Sequence, residues 1–282
     1  MKFSPVALAA LILPAAAHGQ ILYGVTATSL VTVNPTTGAT ATVGSLGLPG
    51  NVIAGTLAWN PTDQSLYGIA YQFSGLTATD QLFIRINPAT GAATTITTFG
   101  SQVGGVVYDG LEYVDSLNSL VVARGPGGGN SGSTALATIS TGGAVANVVT
   151  TALDNDLLAY DAGHGVLYSL DPNGAAQFQK VNLTTGAHTS LGAEPSATTG
   201  EMAYSTVSDR LYALDYTLGN NSLYAIDTQG GNSPATLEST VTLAGAQVQG
   251  IAFSSPVPEP SEWAAIAGGG LSVWALARRR RC

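Results

Sequence analysis

The chain has 282 residues, of which only 9% are charged and 45% hydrophobic, whereas typical soluble domains are roughly 25% charged. Between the two ends, residues 20–258 hold four basic side chains (Arg85, Arg124, Lys180 and Arg210) against fifteen acidic ones, which excludes the basic surface needed to neutralise nucleic-acid phosphates. Thirty-five glycines argue against long helices, and the single cysteine, Cys282 at the last position, excludes an internal disulfide and a cysteine-built metal cage.

Residues 1–20 read MKFSPVALAALILPAAAHGQ: an early Lys2, an apolar run from Val6 to Leu13, then small residues. This is the layout of a secretory signal peptide, with cleavage after Ala17 or after Gly19. The apolar run is too short to span a bilayer well. Residues 1–19 are therefore expected to be a signal peptide and residues 20–255 the exported body.

The body repeats one pattern. A hydrophobic-Ala-aromatic phrase recurs as Leu57-Ala58-Trp59, Leu158-Ala159-Tyr160, Met202-Ala203-Tyr204 and Ile251-Ala252-Phe253, and Leu111-Glu112-Tyr113 fills the same frame with Glu in place of Ala. About eight residues on comes a second strand: Leu66-Tyr67-Gly68, Leu120-Val121-Val122, Leu167-Tyr168-Ser169 or Leu211-Tyr212-Ala213. An alternating strand follows, such as residues 82–87, 178–183 or 223–227, then a Gly-containing turn, as at residues 35–38, 88–91 and 184–186, then a Thr- and Val-rich strand such as residues 93–99. Val, Ile, Thr and Tyr with period-two alternation make strands, and Pro and Gly at fixed offsets make turns.

Four short strands cannot bury both faces of their own sheet, so several such sheets must pack around an axis. The phrases begin at residues 57, 111, 158, 202 and 251, about 47 residues per unit over residues 20–255, close to the 40–50 of propeller repeats. The body opens on Leu22-Tyr23-Gly24, a second strand without a first, and closes on Ile251-Ala252-Phe253, a first strand without the rest. The expected fold is all-β: a five-bladed β-propeller whose ring is closed by one blade assembled from both termini, leaving no free sheet edge there.

Catalytic chemistry is scarce. The Gly-rich stretch Gly125–Ser133 contains G-x-G-x-x-G spacing but joins two strands, with no helix to cradle a phosphate. Ser131 has no histidine motif to form a triad, and His164 in a turn and His188 on an outer strand read as solvated polar residues. Asp154-Asn155-Asp156 and Asp171-Pro172-Asn173-Gly174 lack the terminal Glu of a calcium loop. No catalytic residue, metal site or cofactor is expected. One irregularity stands out: Glu112 occupies the slot held by Ala in four units, and Glu201 lies beside the same phrase in its own unit, so two carboxylates are expected to point toward the axis. Such a pair is the raw material of glycoside hydrolysis, which is the alternative to a non-enzymatic body. The aromatics Tyr71, Phe73 and Tyr216 are candidate sugar-stacking residues.

After the body come Pro258-Glu259-Pro260-Ser261, a largely apolar run over residues 263–277, and Arg278-Arg279-Arg280-Arg281. Fifteen residues make a helix of roughly 22 Å, short for a bilayer core of roughly 30 Å, and the arginines hold its far end on the cytoplasmic side. These three parts in this order resemble the PEP-CTERM sorting signal of exported proteins in Gram-negative bacteria that make exopolysaccharide. Two features depart from that pattern: Trp263 and Trp274 lie in the helix, and Cys282 follows the arginines. The resemblance, confined to residues 257–282, implies that Pro258, Glu259 and Pro260 are read by an exosortase, a membrane cysteine transpeptidase that removes the tail. Residues 256–282 are thus expected to be a sorting tail with a short transmembrane helix, a transient inner-membrane anchor before the body reaches the cell surface or extracellular matrix. The expected role is that of a non-enzymatic surface or exopolysaccharide-matrix protein, with cell-surface glycans or exopolysaccharide as ligands, or a protein partner on a scaffold face.

Overall fold

The computed structural model describes residues 19–75, 77–100, 106–126, 134–151, 155–170, 177–193, 200–215, 221–231, 235–245 and 247–255. The rest of the expected signal peptide and the whole sorting tail, with Pro258, Glu259, Pro260 and Arg278, Arg279, Arg280 and Arg281, lie outside these residues. So do residues 127–133 of the Gly-rich stretch, Asp154, residues 171–174 and Tyr216. Among the described residues no helix is long and apolar enough to cross a membrane.

The strands are, in order, β1 (Leu22–Val25), β2 (Ser29–Val33), β3 (Thr40–Ser45), β4 (Val52–Ala54), β5 (Ala58–Asn60), β6 (Ser65–Ser74), β7 (Thr77–Ile86), β8 (Ala93–Gly100), β9 (Val106–Val114), β10 (Ser119–Pro126) and β11 (Ala135–Ile139). They continue with β12 (Val145–Thr150), β13 (Leu157–Asp161), β14 (Val166–Leu170), β15 (Gln177–Val181), β16 (His188–Ala193), β17 (Met202–Ser205), β18 (Arg210–Asp215), β19 (Ser222–Asp227), β20 (Thr236–Thr242) and β21 (Gly250–Phe253). They form five antiparallel sheets, the blades of a five-bladed β-propeller. Blade 1 is β21-β1-β2-β3, and blades 3, 4 and 5 are β9–β12, β13–β16 and β17–β20. In blade 2 the inner position is shared by β4 and β5, both paired with β6, followed by β7 and β8. The split falls at Gly55-Thr56, whose two N–H groups both reach Ile69 O.

The repeated phrase is the innermost strand. Trp59, Tyr113, Tyr160, Tyr204 and Phe253 pair with Leu66, Leu120, Leu167, Leu211 and Leu22, so the five units share one register. Ring closure follows the sequence expectation: β21 from the C-terminal end pairs with β1, matching Ile251 with Gly24 and Ala252 with Tyr23. The innermost strands touch in the order β5, β9, β13, β17, β21 and back to β5.

The core is divided among the blade interfaces. Val25, Leu30, Leu57 and Ile84 pack between blades 1 and 2, Ile69, Phe83, Leu111 and Val122 between 2 and 3, and Val121, Leu136, Leu158 and Leu167 between 3 and 4. Tyr168, Phe178, Leu211 and Ile226 fill the 4–5 interface, and Leu22, Leu214, Leu223 and Ile251 the 5–1 interface. Each blade thus buries its faces only against its neighbours, which is why one unit alone has no core.

The outer turns are also built to one design. In Asn34–Gly38, Asn87–Gly91 and Asn182–Gly186 the Asn side-chain oxygen accepts backbone N–H groups of the turn at 2.9 Å, and the Gly N–H returns to the Asn carbonyl. The glycine is required twice over at Gly38: φ is +71°, and a Cβ there would lie 2.1 Å from Thr242 O on blade 5. The turn therefore latches one blade onto the one before it.

Candidate functional site

Glu112 on β9 aligns, through its partner Val121, with Ala58, Ala159, Ala203 and Ala252, whose partners are Tyr67, Tyr168, Tyr212 and Tyr23. Directly opposed residues share one face of the sheet. Four blades fill that face with a small Ala and a large Tyr, whereas blade 3 uses a large Glu and a smaller Val. The exchange of volume explains how the inner strand accommodates Glu112, a slot where the four alanines are almost fully buried. Tyr113 N–H donates to Glu112 Oε1 at 2.8 Å, and Tyr160 N–H of blade 4 supports the same carboxyl group.

Glu201 precedes β17 by one residue, two positions before the Ala203 slot. It shares its slot with Gly250 of blade 1, against which the Gly55–Leu57 backbone of blade 2 packs too closely to admit a Cβ. Its carboxyl group is supported by the N–H groups of Met202, in its own blade, and of Leu57, two blades away. Glu201 is 2% exposed, and its Oε1 has no hydrogen-bond partner. Glu112 is enclosed by protein yet keeps partial exposure, on the face of blade 3 that its partner Val121 packs against blade 4.

Burial is the main cause of both pKa shifts. Glu112 is pushed up to about 8, with the two N–H groups pulling down and Asp115 adding repulsion. Glu201 is raised well above the usual carboxyl range by burial, then by Glu112 and Asp109. Two carboxyl groups were expected to point toward the axis; in the structure Glu112 lies close enough to Glu201 to raise its pKa, and each carboxyl group accepts N–H groups of inner strands. Their polar contacts are with free N–H groups of the inner strands, which would otherwise face the axis unpaired.

A second feature lies on the rim. Shallow recesses of about 550, 480 and 440 Å³ recur at one position in blades 1, 2 and 4. Each combines the turn Asn (Asn34, Asn87 or Asn182) with the third-strand residue Thr32, Arg85 or Lys180 and a fourth-strand Thr or Ala. Those three third-strand residues are equivalent, each opposite Tyr23, Tyr67 or Tyr168. Sequence reasoning missed these recesses because it looked for aromatics. Tyr71 instead covers Gly55, where a Cβ would meet its ring at 2.4 Å, and its hydroxyl donates to Tyr108 O. Phe73 is half-buried on β6.

The two histidines are not simply solvated polar residues. His188 Nε2 lies 2.9 Å from the buried Asn155 Oδ1, its Nδ1 is buried without a partner, and burial lowers its pKa. His164 Nδ1 lies 2.7 Å from Asp161 Oδ2. Asp161, His164 and Asp209, from two adjacent blades, bring one ligand atom each to within 4.8 Å of one another. No metal was expected in the sequence, where the Asp-rich segments lack a calcium loop; these three residues come from two repeats, Asp161 at the end of β13 and His164 and Asp209 in the turns after β13 and β17.

No protein-family model and no curated protein matches the sequence. Among solved structures, the chain is similar to one in the nidogen/laminin complex, with 13% identity over 83% of this chain and 98% of that one and a TM-score of 0.53. It also resembles a protein of unknown function from Bacteroides caccae (10% identity, 83% and 98% covered, TM-score 0.44). An oligogalacturonate lyase in complex with manganese aligns at 13% identity over 78% and 74% of the two chains, with a TM-score of 0.41. At 13% identity the likeness to the chain of the nidogen/laminin complex speaks for the fold alone; the five sheets make this chain a five-bladed β-propeller.

Proposed function

We propose that the chain is an exported, non-enzymatic binding platform for glycans, sorted through Pro258-Glu259-Pro260 and held at the surface or in the exopolysaccharide matrix of a Gram-negative bacterium. The address rests on the two ends of the sequence. Processing near residues 258–260 by an exosortase leaves β21, which ends at Phe253, in the body. The observation that carries the binding role is the recess repeated on blades 1, 2 and 4, lined by hydroxyl, amide and methylene groups. Shallow polar sites bind sugars weakly one at a time, and several on one rigid ring gain by avidity on a repeating polymer. The axial carboxyl groups fit a structural role better than glycoside hydrolysis, since inner-strand N–H groups already engage them.

The purified chain is expected to bind exopolysaccharide of the producing cell saturably, with a free component sugar as competitor. The double variant Arg85→Ala/Lys180→Ala should weaken that binding by about tenfold through lost avidity without lowering binding to zero. Undiminished binding by the variant would remove the recesses as the site, and no binding by the folded wild type would remove the glycan role.

A further inference from the structure

The interface between blades 2 and 3 and that between blades 4 and 5 are built on the same plan, and they differ where charge enters. At the first, Asn60 Oδ1 accepts the N–H of Thr62 at 2.9 Å, and the Tyr113 hydroxyl donates to Asn118 Oδ1 at 2.6 Å. The Thr62 hydroxyl sits between the two blades, 3.1 Å from the Tyr113 hydroxyl and 3.4 Å from Asn118 Oδ1. At the second, Asp161 Oδ1 accepts the N–H of His164 at 3.1 Å, and the Tyr204 hydroxyl donates to Asp209 Oδ1 at 2.6 Å. Asn118 and Asp209 hold the same left-handed turn position, with φ of 46° and 56°.

At these two interfaces each of the two positions holds an acceptor, and blades 2 and 3 provide it with neutral amides. Blades 4 and 5 use two carboxylates instead, with an imidazole between them. Among the described residues no lysine or arginine forms an ion pair with Asp161 or Asp209; their only such partner is His164, whose Nδ1 lies 2.7 Å from Asp161 Oδ2 and 3.9 Å from Asp209 Oδ1. Asp161 is 1% exposed, so one of the two extra negative charges is carried inside the protein.

We propose that Asp161, His164 and Asp209 form a site for a divalent transition-metal ion of the zinc type, bridging blades 4 and 5. One imidazole nitrogen and two carboxylate oxygens with an open fourth position suit zinc, whose ligand bonds are roughly 2.0–2.2 Å. Asp161 is the fixed ligand: its Oδ1 is held by the His164 N–H, which leaves Oδ2 directed at the site. The side chains of His164 and Asp209 are 46% and 62% exposed, free to close from the present spacing onto an ion, with solvent as the fourth ligand. Tyr204 supplies the outer support, its hydroxyl bonding Asp209 and lying against Asp161, as metal-ligating carboxylates require. Gly230, from the β19–β20 turn, packs against the outer edge of the ring, where a Cβ would lie 3.3 Å from Nε2. The imidazole therefore offers Nδ1 to the ion.

The test is a zinc titration of the full-length chain carrying Cys282→Ser, so that the terminal thiol contributes nothing. One Zn²⁺ per chain is expected, with a thermal midpoint that rises with zinc concentration. Asp161→Asn and Asp209→Asn copy the amides that serve at blades 2 and 3; they should keep the zinc-free midpoint and weaken zinc binding at least tenfold. His164→Gln, a half-exposed turn residue, gives the same readout if either Asp variant fails to fold. Absence of saturable zinc binding by the parent chain would overturn the site and leave a plain His164–Asp161 ion pair. Equal zinc binding by folded variants would overturn it as well, by placing the ion elsewhere.

Discussion

A chain that ends at Gln249 loses its cooperative unfolding transition. The residues removed are few, but they complete blade 1: four residue pairs join β21 to β1. Ile251, fully buried, packs between blades 5 and 1, and Ala252 between blades 1 and 2. Just beyond the strand, Ile21 N–H donates to Ser254 Oγ, Ser254 N–H returns to Ile21 O, and the Trp59 indole donates to Ser255 Oγ. Burial of an Ile side chain is worth about 1.5–3 kcal/mol, and each hydrogen bond adds about 1 kcal/mol net. Together these losses are of the order of the 5–15 kcal/mol that holds a typical domain together, and they expose the edge of β1 to aggregation. Thermal denaturation followed by circular dichroism reads the effect. Ile251→Ala, which keeps the strand, should cost about 2–5 kcal/mol and retain a single transition. An unchanged midpoint for the truncated chain would mean that β21 does not close the ring.

Stability should fall as pH rises from about 4.5 to about 8. Glu112 has a folded-state pKa near 8, against 4.5 as its ordinary value. Across that window the folded protein holds a proton that the unfolded chain has released, so the unfolded state gains on it as the pH climbs. Glu112 alone accounts for a loss of at most about 5 kcal/mol, at about 1.36 kcal/mol for each pH unit that separates the two values. Glu201, raised in the same direction by burial, adds to the effect. His164 acts with the same sign: its hydrogen bond to Asp161 raises its pKa, so its contribution is present below its ordinary value of 6.5 and is lost as pH climbs through the raised one. His188, lowered by burial, opposes them. Urea denaturation at pH 5 and pH 8 measures the difference. Glu112→Gln keeps the shape and an acceptor oxygen for Tyr113 N–H, and it should be more stable than the parent at pH 8, with a flatter profile. A parent profile that is level or rises over this range would show that Glu112 ionises as easily folded as unfolded.

The blades were legible because their determinants are local and repeated. The hydrophobic-Ala-aromatic phrase, with Glu for Ala in blade 3, marks each innermost strand, and a Gly-containing turn marks the return between the two outer strands. The incomplete pattern at the two ends likewise foretold the β21–β1 pairing. Even Glu112 was visible as an irregularity, and so was the Val at residue 121 where other units carry Tyr, although only the paired register reveals that the two changes compensate. What escaped sequence reasoning depends on packing between units. Gly55-Thr56 splits the inner strand of blade 2 through two N–H groups converging on one carbonyl. Tyr71 reads as a free aromatic until Gly55 is seen beneath its ring. Asp161 at the end of β13 and the turn residues His164 and Asp209 are unremarkable in their two separate repeats, and the blade 4–5 interface is what unites them.

Export and sorting are tested most directly by the intact mass of the protein recovered from the surface and medium of a Gram-negative, exopolysaccharide-producing cell with an exosortase. The expected species begins at His18 or Gln20 and ends close to Pro258-Glu259-Pro260, with β21 retained and the ring folded. Recovery of only the full 282-residue chain, lodged in the inner membrane with both ends intact, would contradict the proposed route.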